Sequence, residues 1–251
     1  MNQPKFRLFA GPNGSGKSTL IHAISKDFQM GYFINADQIE YELANSKYID
    51  LSLRFGKLNL TYKDWKDFLY EYQQEDSRAN IIDFTVLDIQ ESILVWKGSI
   101  TSYAASIIAS FLRYRMIQQS VTFSFETVMS HPSKVEFITR AQKLGFKTYL
   151  YFICTDDPLI NIERVKNRKQ MGGHNVDPKL IESRYYRSLE NLQEAFLKVD
   201  RAFVIDSSNR NRNLILEKKG ETVFNHTEMI PGWVNKYLLE KLNWNGFSPS
   251  S

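Results

Sequence analysis

The stretch of sequence that decides the fold is Gly11-Pro12-Asn13-Gly14-Ser15-Gly16-Lys17-Ser18-Thr19. It matches the pattern G-x-x-x-x-G-K-[ST], with a strand pattern before it at residues 5–10 and a helix pattern after it at about 17–28. Glycines let backbone N–H groups surround a phosphate without Cβ clashes, and the start of the following helix adds a positive dipole. In this pattern Lys17 reaches the β and γ phosphates, and the Ser18 hydroxyl binds Mg²⁺. The whole stretch is therefore predicted to bind a nucleoside triphosphate.

Strand and helix patterns alternate over much of the remaining chain. Strands are predicted at 32–35, 121–126, 147–153 and 202–206, and helices at about 133–144, 158–170, 178–196 and 233–242. Pro158 and Pro178 each follow an aspartate that can cap a helix, and Ser133 with Glu136 fits a capping box. A hairpin is predicted around Lys219-Gly220. The alternation predicts an α/β fold with a doubly wound parallel sheet.

Residues 46–118 interrupt this alternation. They are rich in tyrosine, tryptophan and charge, and they contain a capping box at Thr61 and Asp64 and an amphipathic stretch at about 102–119. We expect a helical insertion within a single domain that spans residues 1–251. The tail at 243–251 is expected to be disordered.

Composition excludes several classes of protein. Hydrophobic residues make up 43% of the chain and charged residues 24%, which excludes a disordered chain. The one cysteine, Cys154, excludes a disulfide framework and a zinc site built from several thiolates. The sequence has no apolar run near the ~18–20 residues of a membrane span, and its start does not resemble a signal peptide. We therefore expect a cytoplasmic protein with no membrane partner.

The net charge of +4 is small, but basic residues concentrate in one segment. Residues 164–187 hold seven lysines and arginines against two acidic residues, which indicates a compact anionic ligand rather than a nucleic acid. Arg164 and Arg168 are spaced i, i+4, and Arg184 lies on the next predicted helix, beyond a glycine loop at 171–175. This arrangement favours a lid that neutralises a transferring phosphoryl group, although a solvated helix face has the same pattern.

Two carboxylates come at the ends of predicted strands. Asp37 follows the strand at 32–35, and Glu126 with Thr127 ends the strand at 121–126. Because open α/β sheets bind ligands at the carboxyl ends of their strands, Asp37 is the candidate to orient a hydroxyl and accept its proton. Glu126 and Thr127 are candidates to bind substrate hydroxyls or a metal-bound water. The alternatives are that Asp37 only caps the next helix and that Glu126 is a solvated carboxylate.

Five sequence blocks occur in a fixed order along the chain. They are A-G-P-N-G-S-G-K-S-T at 10–19, Ile34-Asn35-Ala36-Asp37, Ser124-Phe125-Glu126-Thr127, the segment from Arg164 and Arg168 to Gly172-Gly173-His174-Asn175-Val176, and Arg184-Tyr185-Tyr186-Arg187-Ser188-Leu189. In this order they resemble the zeta-toxin family of P-loop kinases. The resemblance covers about residues 5–45 and 120–210, and it implies a P-loop kinase-like fold.

The resemblance also implies an activity and roles for individual residues. It implies ATP and Mg²⁺ as cofactors and phosphorylation of the 3′-hydroxyl of the sugar in UDP-N-acetylglucosamine. By resemblance Asp37 is the catalytic base, Glu126 and Thr127 face the sugar nucleotide, and lid arginines contact the transferring phosphate. The lid arginines that match are Arg164, Arg168 and Arg184. A small helical antitoxin protein is a further implied partner.

A second function is compatible with the sequence: a nucleotide-gated binding module or ATPase that acts with a protein or nucleic-acid partner. The aromatic and charged residues of 46–118 favour it. The chain lacks the N-K-x-D element of GTPases and the apolar run followed by Asp-Glu of AAA motors. These absences favour a small-molecule kinase.

Overall fold

Strands and helices alternate through most of the computed structural model, which describes residues 3–56, 58, 60–170, 176–242 and 248–249. The strands are β1 (Lys5–Ala10), β2 (Tyr32–Ile34), β3 (Tyr48–Asp50), β4 (Leu87–Gln90), β5 (Ile93–Trp96), β6 (Phe123–Thr127), β7 (Lys147–Cys154), β8 (Arg201–Asp206), β9 (Asn213–Lys219), β10 (Thr222–Asn225) and β11 (Ser248–Pro249). The helices are α1 (Lys17–Ile24), α2 (Ala36–Ser46), α3 (Leu51–Phe55), α4 (Tyr62–Glu75), α5 (Ser102–Gln118), α6 (Ser133–Lys143), α7 (Pro158–Gln170), α8 (Pro178–Glu190), α9 (Leu192–Lys198) and α10 (Gly232–Val234).

The chain divides into two compact units, and the first comprises Met1–Met30 and Ser124–Ser251. Its sheet has the strand order β11-β10-β9-β8-β7-β1-β6. β1, β7 and β8 pair in parallel, whereas β9 runs antiparallel to both β8 and β10. This confirms the predicted α/β fold built on a mostly parallel sheet.

The core of the first unit lies against the parallel strands. Leu8 of β1 is opposite Leu150 of β7, which is opposite Ala202 of β8, and all three side chains are fully buried. Phe137 of α6 packs edge-on against Phe6 of β1. The loops that follow β1, β7 and β8 leave the sheet at the same carboxyl edge, where ligands bind in folds of this kind.

A buried carboxylate ties together the antiparallel end of this sheet. Glu217 on β9 accepts a hydrogen bond from Arg201 on β8 at 2.7 Å, and Lys219 lies 3.4 Å away. Burial alone raises the pKa of Glu217, but the hydrogen bond from Arg201 and the charge of Lys219 outweigh it. Together they hold the pKa below its ordinary value of 4.5.

The second unit, Gly31–Phe123, contains the predicted insertion at 46–118 and is not wholly helical. β3, β5 and β4 form a three-stranded antiparallel sheet in that order, beside helices α2 to α5. The sequence patterns missed these strands, which have three or four residues each. The turn between β4 and β5 uses Glu91 and Ser92 at positive φ, 47° and 65°, instead of the Asn-Gly type of sequence that marks such turns.

An aromatic cluster forms the core of the second unit. Trp65 of α4 is 1% exposed, and its ring lies 5.3 Å from the ring of Phe84 and 5.3 Å from that of Phe111. The helix that carries it starts at the predicted capping box, since Thr61 and Asp64 each accept a hydrogen bond from the other's backbone N–H. Trp65, Phe84 and Phe111 are therefore packing residues of the second unit.

Several element boundaries differ from the predicted ones. The helix predicted at 178–196 is two helices that meet at Asn191, and the helix predicted at 233–242 is α10 followed by a π-helical turn and a 3-10 turn. Ser133 lies inside α6, which Pro132 precedes as N-cap, so the predicted capping box at Ser133 is wrong. The glycine loop at 171–175 lies outside the described residues, as does the predicted disordered tail except for β11. Among the described helices, none has the length and apolar character needed to cross a membrane.

Candidate active site

The loop between β1 and α1 has backbone conformations that require glycine. Gly11, Gly14 and Gly16 have φ values of +140°, +77° and +90°. A Cβ at Gly11 would lie 1.9 Å from the carbonyl oxygen of Ile153, and one at Gly14 would lie 2.6 Å from that of Asn161. A Cβ at Gly16, the N-cap of α1, would meet no atom within 4 Å. Gly11 and Gly14 therefore allow the loop to pack closely against the backbone of Ile153 and Asn161. All three glycines allow a positive φ that other residues rarely adopt.

The Lys17 side chain is held inside this loop. It is 6% exposed, and its Nζ donates to the carbonyl oxygens of Gly11 at 2.8 Å and Pro12 at 2.9 Å. The same Nζ lies 3.8 Å from Glu126 Oε1 at the end of β6. The ammonium group is thus enclosed by the loop that is predicted to hold phosphates.

Ser18 and Glu126 come together beside Lys17. The Ser18 hydroxyl lies 3.2 Å and 3.4 Å from the two carboxylate oxygens of Glu126. Mg²⁺ in nucleotide sites is bound by one or two protein oxygens, and phosphate oxygens and waters complete the shell. One hydroxyl and one carboxylate at hydrogen-bond distance fit that requirement. Among the described residues there is no cluster of three or more His, Cys, Asp or Glu side chains that could hold a metal ion by itself.

Thr127 takes part in a turn at the end of β6. Its Oγ1 accepts a hydrogen bond from the backbone N–H of Met129 at 3.0 Å, and Met129 has a positive φ of 57°. Asn191, between α8 and α9, donates to the Met129 carbonyl at 2.9 Å. The turn after β6 is therefore fixed by two hydrogen bonds that involve side chains.

Helix α7 contacts the phosphate loop through a buried amide that sequence reasoning missed. Asn161 is fully buried, and its Nδ2 donates to the carbonyl oxygen of Asn13 at 2.6 Å. Its Oδ1 accepts a hydrogen bond from the Thr155 hydroxyl. The Tyr185 hydroxyl of α8 donates to the Thr155 carbonyl at 2.7 Å. The one sequence signal for this was a polar residue four positions before the buried Val165, on the inner face of an amphipathic helix.

The three predicted lid arginines lie in different surroundings. Arg164 donates to the carbonyl oxygens of Ser207 at 2.7 Å and Ser208 at 3.3 Å, in the loop after β8. Arg168 is exposed in the last turn of α7, and Arg184 is half-buried on α8. Because a guanidinium group has five N–H donors, Arg164 keeps donors beyond those that hold this loop.

The loop after β8 reaches back to the phosphate loop. The Ser207 hydroxyl donates to the Ser15 carbonyl at 2.7 Å and is also 3.2 Å from the Cys154 carbonyl. Cys154 itself is fully buried, and that burial raises the pKa of its thiol well above the usual range. Its thiol is therefore a packing group, and Ser207 is a contact that no sequence motif indicated.

Asp37 belongs to the second unit, in the first turn of α2. Asn35 caps this helix, since its Oδ1 accepts hydrogen bonds from the backbone N–H groups of Asp37 at 2.8 Å and Gln38 at 3.2 Å. The alternative in which Asp37 is the cap is therefore wrong. The Asp37 side chain is exposed.

Comparisons with known proteins identify the fold. The chain matches, with a TM-score of 0.51 and 13% sequence identity, a structure from the PezAT chromosomal toxin–antitoxin system of Streptococcus pneumoniae, over 96% of this chain and 78% of that chain. The predicted resemblance is confirmed at the level of the fold. This is the fold of zeta-toxin-like P-loop kinases.

Two further matches are to crystal structures of AvrRxo1-ORF1 with AvrRxo1-ORF2. The structure with sulphate ions has a TM-score of 0.53, and the structure with ATP has one of 0.52. In both, the sequence identity is 14%, and the match covers 99% of this chain and 66% of that chain. This chain therefore spans just under two thirds of the length of the AvrRxo1 chain that it matches. No family model and no curated protein matches the sequence.

Proposed function

We propose that this protein is an ATP-dependent kinase that transfers the γ-phosphate to a hydroxyl group of a small molecule. The observation that carries the proposal is the grouping of Lys17, Ser18 and Glu126 around a glycine loop at the carboxyl edge of the sheet. A protein of the same fold has been crystallised with ATP, which supports ATP as the phosphate donor.

The residues of the phosphate loop would bind and neutralise the nucleotide. The Lys17 ammonium would move from the carbonyls of Gly11 and Pro12 to the β and γ phosphates, which are stronger acceptors. Ser18 and Glu126 would hold Mg²⁺, which offsets negative charge on the phosphates when it is bound. The backbone N–H groups from Gly14 onward, at the start of α1, would add hydrogen bonds and a favourable dipole.

Asp37 would be the general base. An exposed carboxylate at the start of a helix is able to accept a proton from an acceptor hydroxyl, a role typically worth about 10²- to 10⁴-fold in rate. Arg168 and Arg184 would contact the transferring phosphate from the basic helices, together with the remaining donors of Arg164. Thr127, with Glu126, would bind the acceptor.

The acceptor that we propose is the sugar hydroxyl of a sugar nucleotide such as UDP-N-acetylglucosamine. This rests on the sequence blocks at Asp37 and at Glu126-Thr127. Because the PezAT match comes from a toxin–antitoxin system, we further propose a small helical antitoxin protein as a partner. A cytoplasmic location fits both, since nucleotide donors and acceptors are found there.

Incubation of the protein with ATP labelled at the γ-phosphate, Mg²⁺ and a panel of sugar nucleotides and dinucleotides tests the proposal. Mass spectrometry of the products would show one acceptor that gains a single phosphate. Lys17→Ala, which removes the enclosed ammonium group, is the negative control. If wild-type protein releases inorganic phosphate without modifying any acceptor, the ATPase function is correct and the kinase proposal is wrong.

A further inference from the structure

Two backbone carbonyls of the phosphate loop are held by buried side chains from elsewhere in the first unit. The Asn13 carbonyl accepts a hydrogen bond from Asn161 on α7 at 2.6 Å. The Ser15 carbonyl accepts one from Ser207, after β8, at 2.7 Å. Asn161 is fully buried and Ser207 is 3% exposed, so both bonds are shielded from water. Shielding keeps such bonds from exchanging with solvent and makes them costly to break.

Each of these bonds also sets the direction of one backbone N–H. A trans peptide unit is planar, so its C=O and N–H point in opposite directions. The described residues contain no cis peptide bond. When Asn161 holds the Asn13 carbonyl, the N–H of Gly14 points away from α7. When Ser207 holds the Ser15 carbonyl, the N–H of Gly16 likewise points away from Ser207.

The Asn161 amide can make this contact in one orientation only. The Asn13 carbonyl oxygen can only accept a hydrogen bond, so the Asn161 Nδ2 must face it, and a flipped amide would place oxygen against oxygen. In this orientation the Asn161 Oδ1 accepts a hydrogen bond from the Thr155 hydroxyl. Thr155 is itself fixed, because its carbonyl accepts a hydrogen bond from Tyr185 at 2.7 Å. Ser207 is fixed in the same way by Arg164, which donates to its carbonyl.

We propose that Asn161 and Ser207 are positioning residues that aim the Gly14 and Gly16 N–H groups at the phosphates of the nucleotide. The inference rests on the proposed function, in that it requires the loop to bind ATP. It goes beyond that function by assigning the direction of the loop N–H groups to two side chains outside the motif. Because the loop is held in this way before nucleotide binds, less ordering is needed on binding.

Calorimetric titration of ATP and of AMP into purified variants tests the inference. Asn161→Asp keeps the shape of the side chain but replaces the NH₂ donor with an oxygen that faces the Asn13 carbonyl. Asn167→Asp is the matched control, because it makes the same change at an exposed position on the same helix. Ser207→Ala removes the second contact without adding charge, so it separates loss of the hydrogen bond from charge repulsion.

We expect the Kd for ATP to rise about 10-fold or more in Asn161→Asp and in Ser207→Ala, and to stay within about 2-fold of wild type in Asn167→Asp. The Kd for AMP should hardly change, because AMP lacks the β and γ phosphates that the loop binds. A variant that was only destabilised in general would bind ATP and AMP more weakly to the same extent, so a loss of affinity for ATP alone supports the inference. If circular dichroism shows that Asn161→Asp is unfolded, Thr155→Val, which removes the hydroxyl that orients Asn161, replaces it.

The outcomes separate the inference from the proposed function. Wild-type protein that does not bind ATP overturns the proposed function and the inference with it. Wild-type protein that binds ATP, with Ser207→Ala and the folded Asn161 or Thr155 variant binding equally well, overturns the inference alone. An equal loss of affinity for ATP and AMP also overturns it, since the effect would not pass through the phosphate loop.

Discussion

Replacing Gly14 with alanine probes the close approach of the phosphate loop to α7. Gly14 has a φ of +77°, and a Cβ there would lie 2.6 Å from the Asn161 carbonyl oxygen. Gly145, in the turn between α6 and β7, is the matched control. Its φ is +80°, but a Cβ there would meet no atom within 4 Å. Both substitutions place a Cβ on a backbone with positive φ, but only Gly14→Ala also brings that Cβ into a clash with the Asn161 carbonyl.

The size of the difference follows from these distances. A Cβ in the left-handed region costs roughly 1–2 kcal/mol, and both variants carry that cost. Alanine also lowers the conformational entropy of the unfolded chain in both variants, which stabilises the folded state. This stabilisation is similar in the two variants, so it cancels in the comparison. Only Gly14→Ala must also displace backbone at Asn161, and overpacking of this kind costs typically ~1–3 kcal/mol. We expect the free energy of unfolding to fall by about 1 kcal/mol in Gly145→Ala and by about 2–4 kcal/mol in Gly14→Ala.

Urea unfolding followed by circular dichroism measures the two free energies, and calorimetry measures ATP affinity. We expect Gly14→Ala to bind ATP about 10-fold more weakly or worse, since its loop cannot rest on α7, and Gly145→Ala to bind as wild type does. Equal destabilisation by the two substitutions, with full ATP affinity in Gly14→Ala, would refute the packing of the loop on α7.

Three further predictions concern the core, the pH dependence of stability and the metal. Trp65→Ala should lower the free energy of unfolding by about 3–5 kcal/mol, because it removes a buried ring from the core of the second unit. Tyr70, on the same helix, is 70% exposed, so Tyr70→Ala should change that free energy by about 0.5 kcal/mol or less. Denaturant titration of the two variants measures the difference. Because the pKa of Glu217 is lowered in the folded protein, its ionised carboxylate stabilises the fold at pH values above the ordinary pKa of 4.5, and this contribution is lost as the pH falls through the pKa of the folded state. The difference in the free energy of unfolding between wild type and Glu217→Gln should therefore shrink in acid. A difference that stays constant with pH would contradict this prediction. Glu126→Gln should weaken ATP binding about 10-fold with Mg²⁺ and much less with EDTA, as measured by calorimetry, and an equal effect in both buffers would remove Glu126 from the metal site.

The sequence predicted the parts of the fold and site that depend on short-range patterns. The phosphate loop could be recognised because φ values of +140° at Gly11 and +90° at Gly16 demand glycine at the two places that the pattern fixes. The strand pattern of 147–153 stood out because β7 is central in the sheet and apolar over most of its length. The grouping of Glu126 with Ser18 was foreseen only in outline, from the rule that strand ends meet at one edge.

The remaining features depend on contacts that have no local signature. Asn161 and Ser207 meet the phosphate loop across more than a hundred residues of chain, and neither residue type is unusual at its position. Arg164 was assigned to phosphate from its spacing with Arg168, but spacing on a helix does not tell which partner a side chain meets. The hairpin of β4 and β5 escaped notice because its turn, at Glu91 and Ser92, lacks the Asn-Gly type of sequence that marks such turns.

The central claim is that the phosphate loop holds ATP while Asp37 activates an acceptor hydroxyl. A single-turnover measurement of phosphate transfer from labelled ATP, made on wild type, Lys17→Ala and Asp37→Asn with ATP affinity determined in parallel, tests it most directly. We expect Lys17→Ala to lose both ATP binding and transfer, and Asp37→Asn to bind ATP as wild type does while transferring phosphate about 10²-fold more slowly or worse. Transfer by Asp37→Asn within a few-fold of the wild-type rate would contradict the claim.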